Sequence, residues 1–194
     1  IPNQPYASGQ FTNGNVWVNG AANALGLAPY AAPALAGGGN FAFGGARVST
    51  DGSGLPPSLA AQVNLFLSGT PGHVAPSGAL YVVEGGGNDA RDALAAAAVS
   101  GNPSMVIASA AAAFASGIHA IVDQLQAAGA QQLIVWNTPN LSLAPAVTSQ
   151  GAGAVFLASQ LVLSMNAALS AELGGETGVK IFDNRIYRLK RRQN

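Results

Sequence analysis

Apolar residues recur along much of this chain at the spacing of amphipathic helices. The longest such stretch covers residues 103–128, where Asn102 stands at the cap position, Pro103 takes the first helical position and Gly129 follows the last turn. Its apolar stripe consists of Ile107, Phe114, Ile118, Ile121, Val122 and Leu125. The same reasoning predicts three further helices, at residues 15–25, 57–67 and 155–173.

Short apolar runs between these helices predict buried strands. Three of them cover residues 79–83, 133–136 and 179–182, and residues 40–43 form a fourth candidate. Strands that alternate with helices along a chain form a parallel sheet that helices cover on both faces. The pattern therefore predicts one α/β domain, a three-layer α/β/α sandwich with a parallel sheet, as in flavodoxin-like folds.

Charge is scarce and unevenly placed. Only 8% of the 194 residues are charged, against roughly 25% in typical soluble domains, which argues against a nucleic-acid partner for most of the chain. Residues 1–179 carry two basic and seven acidic side chains, whereas residues 180–194 carry six basic and one acidic. We therefore expect residues 1–184 to form the domain and residues 185–194 to be a basic tail that packs poorly on it.

Several other classes of chemistry lack a signal in the sequence. The chain has no cysteine, so disulfides and thiolate catalysis are excluded. No leader sequence is visible at the start, and no uninterrupted apolar stretch reaches the ~18 residues of a membrane span, so we expect no transmembrane segment. His73 is interpreted as an exposed loop residue and His119 as a helix-surface or packed residue. Two isolated histidines and scattered acids predict no metal site, and no cofactor is implied.

Four short segments carry a resemblance to a known family. They are residues 6–17, the sequence Asn-Phe-Ala-Phe-Gly-Gly-Ala at 40–46, Gly-Gly-Asn-Asp at 86–89, and Asn-Thr-Pro-Asn-Leu at 137–141. Each segment alone is a weak signal, but in this order and spacing they resemble the lipase-like branch of the GDSL or SGNH family of ester hydrolases. The resemblance covers roughly residues 1–184 and implies a small-molecule ester or lipid substrate and a secreted or cell-surface bacterial protein.

The resemblance implies an oxyanion hole in this chain. Ester hydrolysis passes through a tetrahedral oxyanion, which a backbone N–H and an amide NH₂ both stabilise. The family's backbone donor lies five residues after the asparagine of its block, so Asn40 points to Gly45, with Gly44 as its rival. Asn88 matches the side-chain donor, and we expect Asp89 to cap a helix that starts near Ala90.

Two other sequence blocks that are typical of the family do not occur in this chain. The family's nucleophile is a serine in a G-D-S block upstream of the segment at 6–17, and its base is a histidine in a D-x-x-H block near the C-terminus; the chain contains neither. We therefore expect a fragment whose sheet lacks its first central strand, with residues 40–43 detached or paired in another register. The alternative is a catalytically inactive binding or surface module on the same fold.

Overall fold

A computed structural model describes residues 12–184, which divide between Gly44 and Gly45 into two compact units. In the first unit, helix α1 (Trp17–Ala24) confirms the helix expected at residues 15–25. Two short 3₁₀ turns follow, at Ala28–Ala31 and Ala34–Ala36.

The strand predicted at residues 40–43 does not form. Asn40 makes only an isolated parallel bridge with Pro33, because a turn through Gly37, whose φ is 82°, folds the chain back on itself. The Asn40 N–H then donates to Ala32 O at 3.0 Å and its carbonyl accepts from Ala34 N at 2.8 Å. The backbone of Asn40 is thus bonded locally, and the expectation of a detached or differently paired strand stays a prediction.

The second unit is built on a parallel sheet of three strands. They are β1 (Leu80–Val83), β2 (Gln132–Trp136) and β3 (Val179–Phe182), in that spatial order, with Val83 opposite Val135 and Trp136 opposite Phe182. Among residues 12–184 no strand pairs with the outer edge of β1.

Within residues 45–184, the described part of this unit, there are five α-helices. They are α2 (Leu59–Ser68), α3 (Gly87–Val99), α4 (Pro103–Ala127), α5 (Pro145–Thr148) and α6 (Ala152–Leu173). Strands and helices alternate as expected, and the α/β/α class predicted from the sequence is confirmed. The predicted boundaries lie within three residues of the observed ones for α2, α4, α6 and all three strands.

The core lies where α4 and α6 pack together against the sheet. Every residue of the predicted α4 stripe is buried, and it meets Leu133 of β2 and Met165 and Leu169 of α6, each 1% exposed or less. Full burial of such side chains stabilises the fold by about 1.5–3 kcal/mol each.

Helices α4 and α6 are also each long and apolar enough, by length and composition, to cross a membrane. Core helices of α/β proteins share these properties, and both helices bury their stripes against each other here. The absence of a transmembrane segment therefore stays a prediction.

Candidate active site

The carboxyl end of β1 leads through three glycines into α3, and the conformation of this turn requires glycine. Gly86 precedes the helix with φ 94°, a region that L-residues rarely adopt. A Cβ on Gly86 would collide with the ring of Phe114, and one on Gly85 would collide with Leu59. The close approach of this turn to the core sets the start of α3 at Gly87 and places Asn88 in its first turn, at the strand end where parallel sheets bind ligands.

The Asn88 side chain reaches the segment that contains Gly45. Its Nδ2 donates to the carbonyl oxygen of Ala46 at 3.0 Å. Because neighbouring Cα atoms are about 3.8 Å apart, the Gly45 N–H lies within about 10 Å of that nitrogen. The bond to Ala46 accounts for one of the two N–H donors of the amide. The structure thus brings both sequence-predicted residues together, and their role as oxyanion donors remains a prediction.

Gly45 is held by a partly buried arginine. Its φ of 88° favours glycine, and its carbonyl oxygen accepts a hydrogen bond from Arg47 Nη1 at 3.0 Å. The same guanidinium donates through Nε and Nη2 to Asp92 Oδ2 of α3, at 2.9 and 2.7 Å. The Arg47 side chain is only 15% exposed, so this contact fixes the Gly45 peptide relative to α3.

Asp92 is the anionic partner of Arg47 in this ion pair. Burial by itself raises the pKa of Asp92, but hydrogen bonds from Arg47 and Arg91 outweigh that effect and hold the pKa below its ordinary value. The carboxylate therefore stays ionised at neutral pH and keeps its hydrogen bonds to Arg47. No role for Arg47 is predicted from the sequence. The available signal was its position two residues after Gly45, as one of two basic residues in the first 179.

Asp89 does not cap α3, and that expectation is wrong. The left-handed turn at Gly86 starts the helix earlier than expected, so Asp89 lies inside its first turn. Its two carboxylate oxygens accept from the Val48 N–H, each at 3.2 Å. Burial raises the pKa of Asp89, and the Val48 bond and the Arg47 charge offset part of that effect. Asn88, Asp89 and Asp92 together bind residues 45–48 to one face of α3.

A cavity of about 320 Å³ lies next to this loop. It is lined by residues of the loop and of helices α3 and α4, among them Arg47, Asp89, Asp92 and Phe114. Neither Gly45 nor Asn88 lines it.

The segment at 137–141 forms a second polar structure, at the end of β2. Thr138 is fully buried, and its backbone N–H and C=O both bond to the side chain of Asn166 on α6, at 2.8 and 2.9 Å. Asn137 Nδ2 donates to Asp183 Oδ1 at 2.8 Å beyond β3. These bonds fix the loops at the carboxyl edge of the sheet.

Both histidines of the chain have partners away from Gly45 and Asn88. His73 is exposed, as expected, and its Nδ1 lies 3.0 Å from Leu67 O. His119 is half-buried, and Glu172 and Glu176 lie beside its ring. The interpretation of His119 as an isolated histidine is therefore wrong.

The model of the GDSL-like Lipase/Acylhydrolase family matches residues 3–191. Because the match covers nearly the whole chain, the protein belongs to this family of esterase- and lipase-type acylhydrolases, which act on ester or lipid substrates. No curated protein matches the chain significantly.

Proposed function

We propose that this chain supplies the oxyanion hole of a carboxylic-ester hydrolase. Gly45 contributes its backbone N–H and Asn88 its side-chain amide, while the serine nucleophile and the histidine base come from sequence blocks outside these 194 residues. The observation that supports this assignment is the Asn88–Ala46 hydrogen bond, because it brings the Asn88 amide to the residue next to Gly45.

The reaction follows from these roles. The serine hydroxyl attacks the carbonyl carbon of the ester while the histidine takes its proton, and the carbonyl oxygen becomes an oxyanion. Each donor then stabilises that oxygen by about 3–4 kcal/mol. The alcohol leaves with the proton from the histidine, and water hydrolyses the acyl-enzyme by the same route in reverse.

The contacts around the donors favour this chemistry because they fix the loop before substrate binds. Arg47 binds the Gly45 carbonyl and Asp92, and Asp89 binds Val48. Donors that need no reorganisation contribute most to the stabilisation of a transition state. No metal or cofactor takes part in the proposed reaction.

A second candidate function is a binding or surface module without activity. The partners of the two histidines favour it, because His73 lies beside the carbonyl oxygen of Leu67 and His119 lies beside Glu176. Neither partner is one of the two proposed oxyanion donors. The family resemblance also leads us to propose secretion or display on a bacterial surface for either function, which fractionation of the source cells would test.

Hydrolysis of a short-chain nitrophenyl ester tests the proposal. We expect no turnover by the purified chain and turnover by the same chain extended to include an upstream G-D-S block and a downstream D-x-x-H block. An extended chain that is folded but inactive would favour the binding module. Turnover by the unextended chain that is abolished by mutating one of its own serines would show that the nucleophile lies within it.

A further inference from the structure

Three acidic side chains converge on His119 at the surface between α4 and α6. Its Nε2 lies 3.2 Å from Glu176 Oε1 and 3.5 Å from Asp123 Oδ1, and its Nδ1 lies 3.3 Å from Glu172 Oε2. Three of the eight acidic residues of a weakly charged chain thus meet at one of its two histidines. This concentration of negative charge favours a bound cation.

We propose that His119, Asp123 and Glu176 bind a divalent transition-metal ion, for which Zn²⁺ is the test ion. This proposal is independent of the esterase function. Nitrogen and carboxylate oxygen ligands without cysteine suit Zn²⁺ and its first-row neighbours, whereas Mg²⁺ and Ca²⁺ prefer oxygen alone.

The distances fit one tetrahedral ion. Metal–ligand bonds of about 2.1 Å place two ligands of a tetrahedral site about 3.4 Å apart. The Nε2–Glu176 and Nε2–Asp123 distances, 3.2 and 3.5 Å, lie on either side of that value. All three ligand atoms lie within 4.8 Å of one another, so rotation of the exposed Asp123 side chain closes the third edge. Water would take the fourth position.

Glu172 completes the arrangement without touching the ion. Metal-bound histidines donate their second ring N–H to a carboxylate, which fixes the ring orientation and the tautomer. A proton on Nδ1 donated to Glu172 leaves the Nε2 lone pair directed toward Asp123 and Glu176.

The backbone positions of His119, Asp123 and Glu172 are fixed by buried neighbours on their helices. Ile118 and Val122 precede His119 and Asp123 on α4, and Leu173 follows Glu172 on α6; all three are at most 4% exposed. Ion binding would therefore join α4 to the turn after α6 with little rearrangement, and would stabilise the folded state.

Calorimetry and thermal unfolding of the chelator-treated chain with ZnCl₂ test the site. We expect saturable binding of one ion per chain and a rise in Tm of about 5–10 °C at a hundredfold excess over Kd. Mg²⁺ at the same concentration should shift Tm little. His119→Gln should weaken binding at least about a hundredfold and Glu172→Gln about 10–100-fold.

His73→Asn is the matched control, because it removes the other histidine at a left-handed position that asparagine tolerates; its Kd should stay within about twofold. Co²⁺ absorption that is present in the wild type and lost in His119→Gln gives a second readout independent of stability. No saturable Zn²⁺ binding to the wild type, binding unchanged by His119→Gln, or equal stabilisation by Mg²⁺ would each overturn the proposal.

Discussion

Replacing Asn88 with alanine removes the amide that joins the first turn of α3 to Ala46. Ala46 is 6% exposed, so its carbonyl would lose its partner in a place that water reaches poorly, at a cost of about 1–3 kcal/mol. Alanine is the better helix former by roughly 0.6 kcal/mol and offsets part of this cost. We expect the free energy of unfolding, measured by urea denaturation, to fall by about 0.5–2.5 kcal/mol.

In the extended enzyme, the same substitution also removes an oxyanion donor. We expect kcat to fall by about 10²–10³-fold with little change in KM, because the donor acts in the transition state and not in the bound substrate. Ester hydrolysis under saturating substrate measures this effect.

Asn102→Ala is the matched control. It removes the N-cap hydrogen bond to Met105 N of α4 and should cost about 1 kcal/mol of stability without changing kcat. Equal losses of kcat in the two variants would mean that Asn88 acts through stability alone. An Asn88→Ala chain as stable as the wild type would refute the reasoning from the Ala46 bond.

Three further substitutions test the surroundings of the site. Gly86→Ala adds left-handed strain and a collision with Phe114, so it should destabilise the chain by at least about 2 kcal/mol; partial rescue by Phe114→Leu would identify the collision, and additive effects would contradict it. Asn166→Ala leaves the buried Thr138 N–H and C=O without their partner and should cost about 2–4 kcal/mol in urea denaturation; a loss below 1 kcal/mol would show that other groups replace it. Since burial raises the pKa of Asp89 above its ordinary 3.8, the folded chain binds this proton more tightly than the unfolded chain does. The contribution of Asp89 to stability is therefore greatest below pH 3.8 and falls as pH rises through its folded-state pKa; the difference in unfolding free energy between the wild type and Asp89→Asn should follow this slope, and a difference independent of pH would contradict it.

The sequence by itself determined the class of fold and most of its elements. The apolar stripe of α4 and the runs that became β1, β2 and β3 report burial directly, because helical and extended backbones impose local side-chain periods. The start of α3 was misplaced because its alanine-rich sequence has little amphipathic contrast and Gly86 ends the preceding turn early. The run at 40–43 is apolar enough for a strand, but a bridge to Pro33 satisfies Asn40 locally instead.

The candidate site likewise combines residues that the sequence predicts with contacts that only the tertiary structure shows. Gly45 and Asn88 could be predicted from the sequence, because each lies in a short continuous motif that resembles a family block. Their proximity depends on the tertiary structure, since Asn88 meets Ala46 across 42 positions and Arg47 meets Asp92 across 45. His119 meets Glu176 across 57. Contacts at such separations depend on how α3 packs on the 45–48 loop and α6 on α4, and packing of whole elements leaves no local pattern in the sequence.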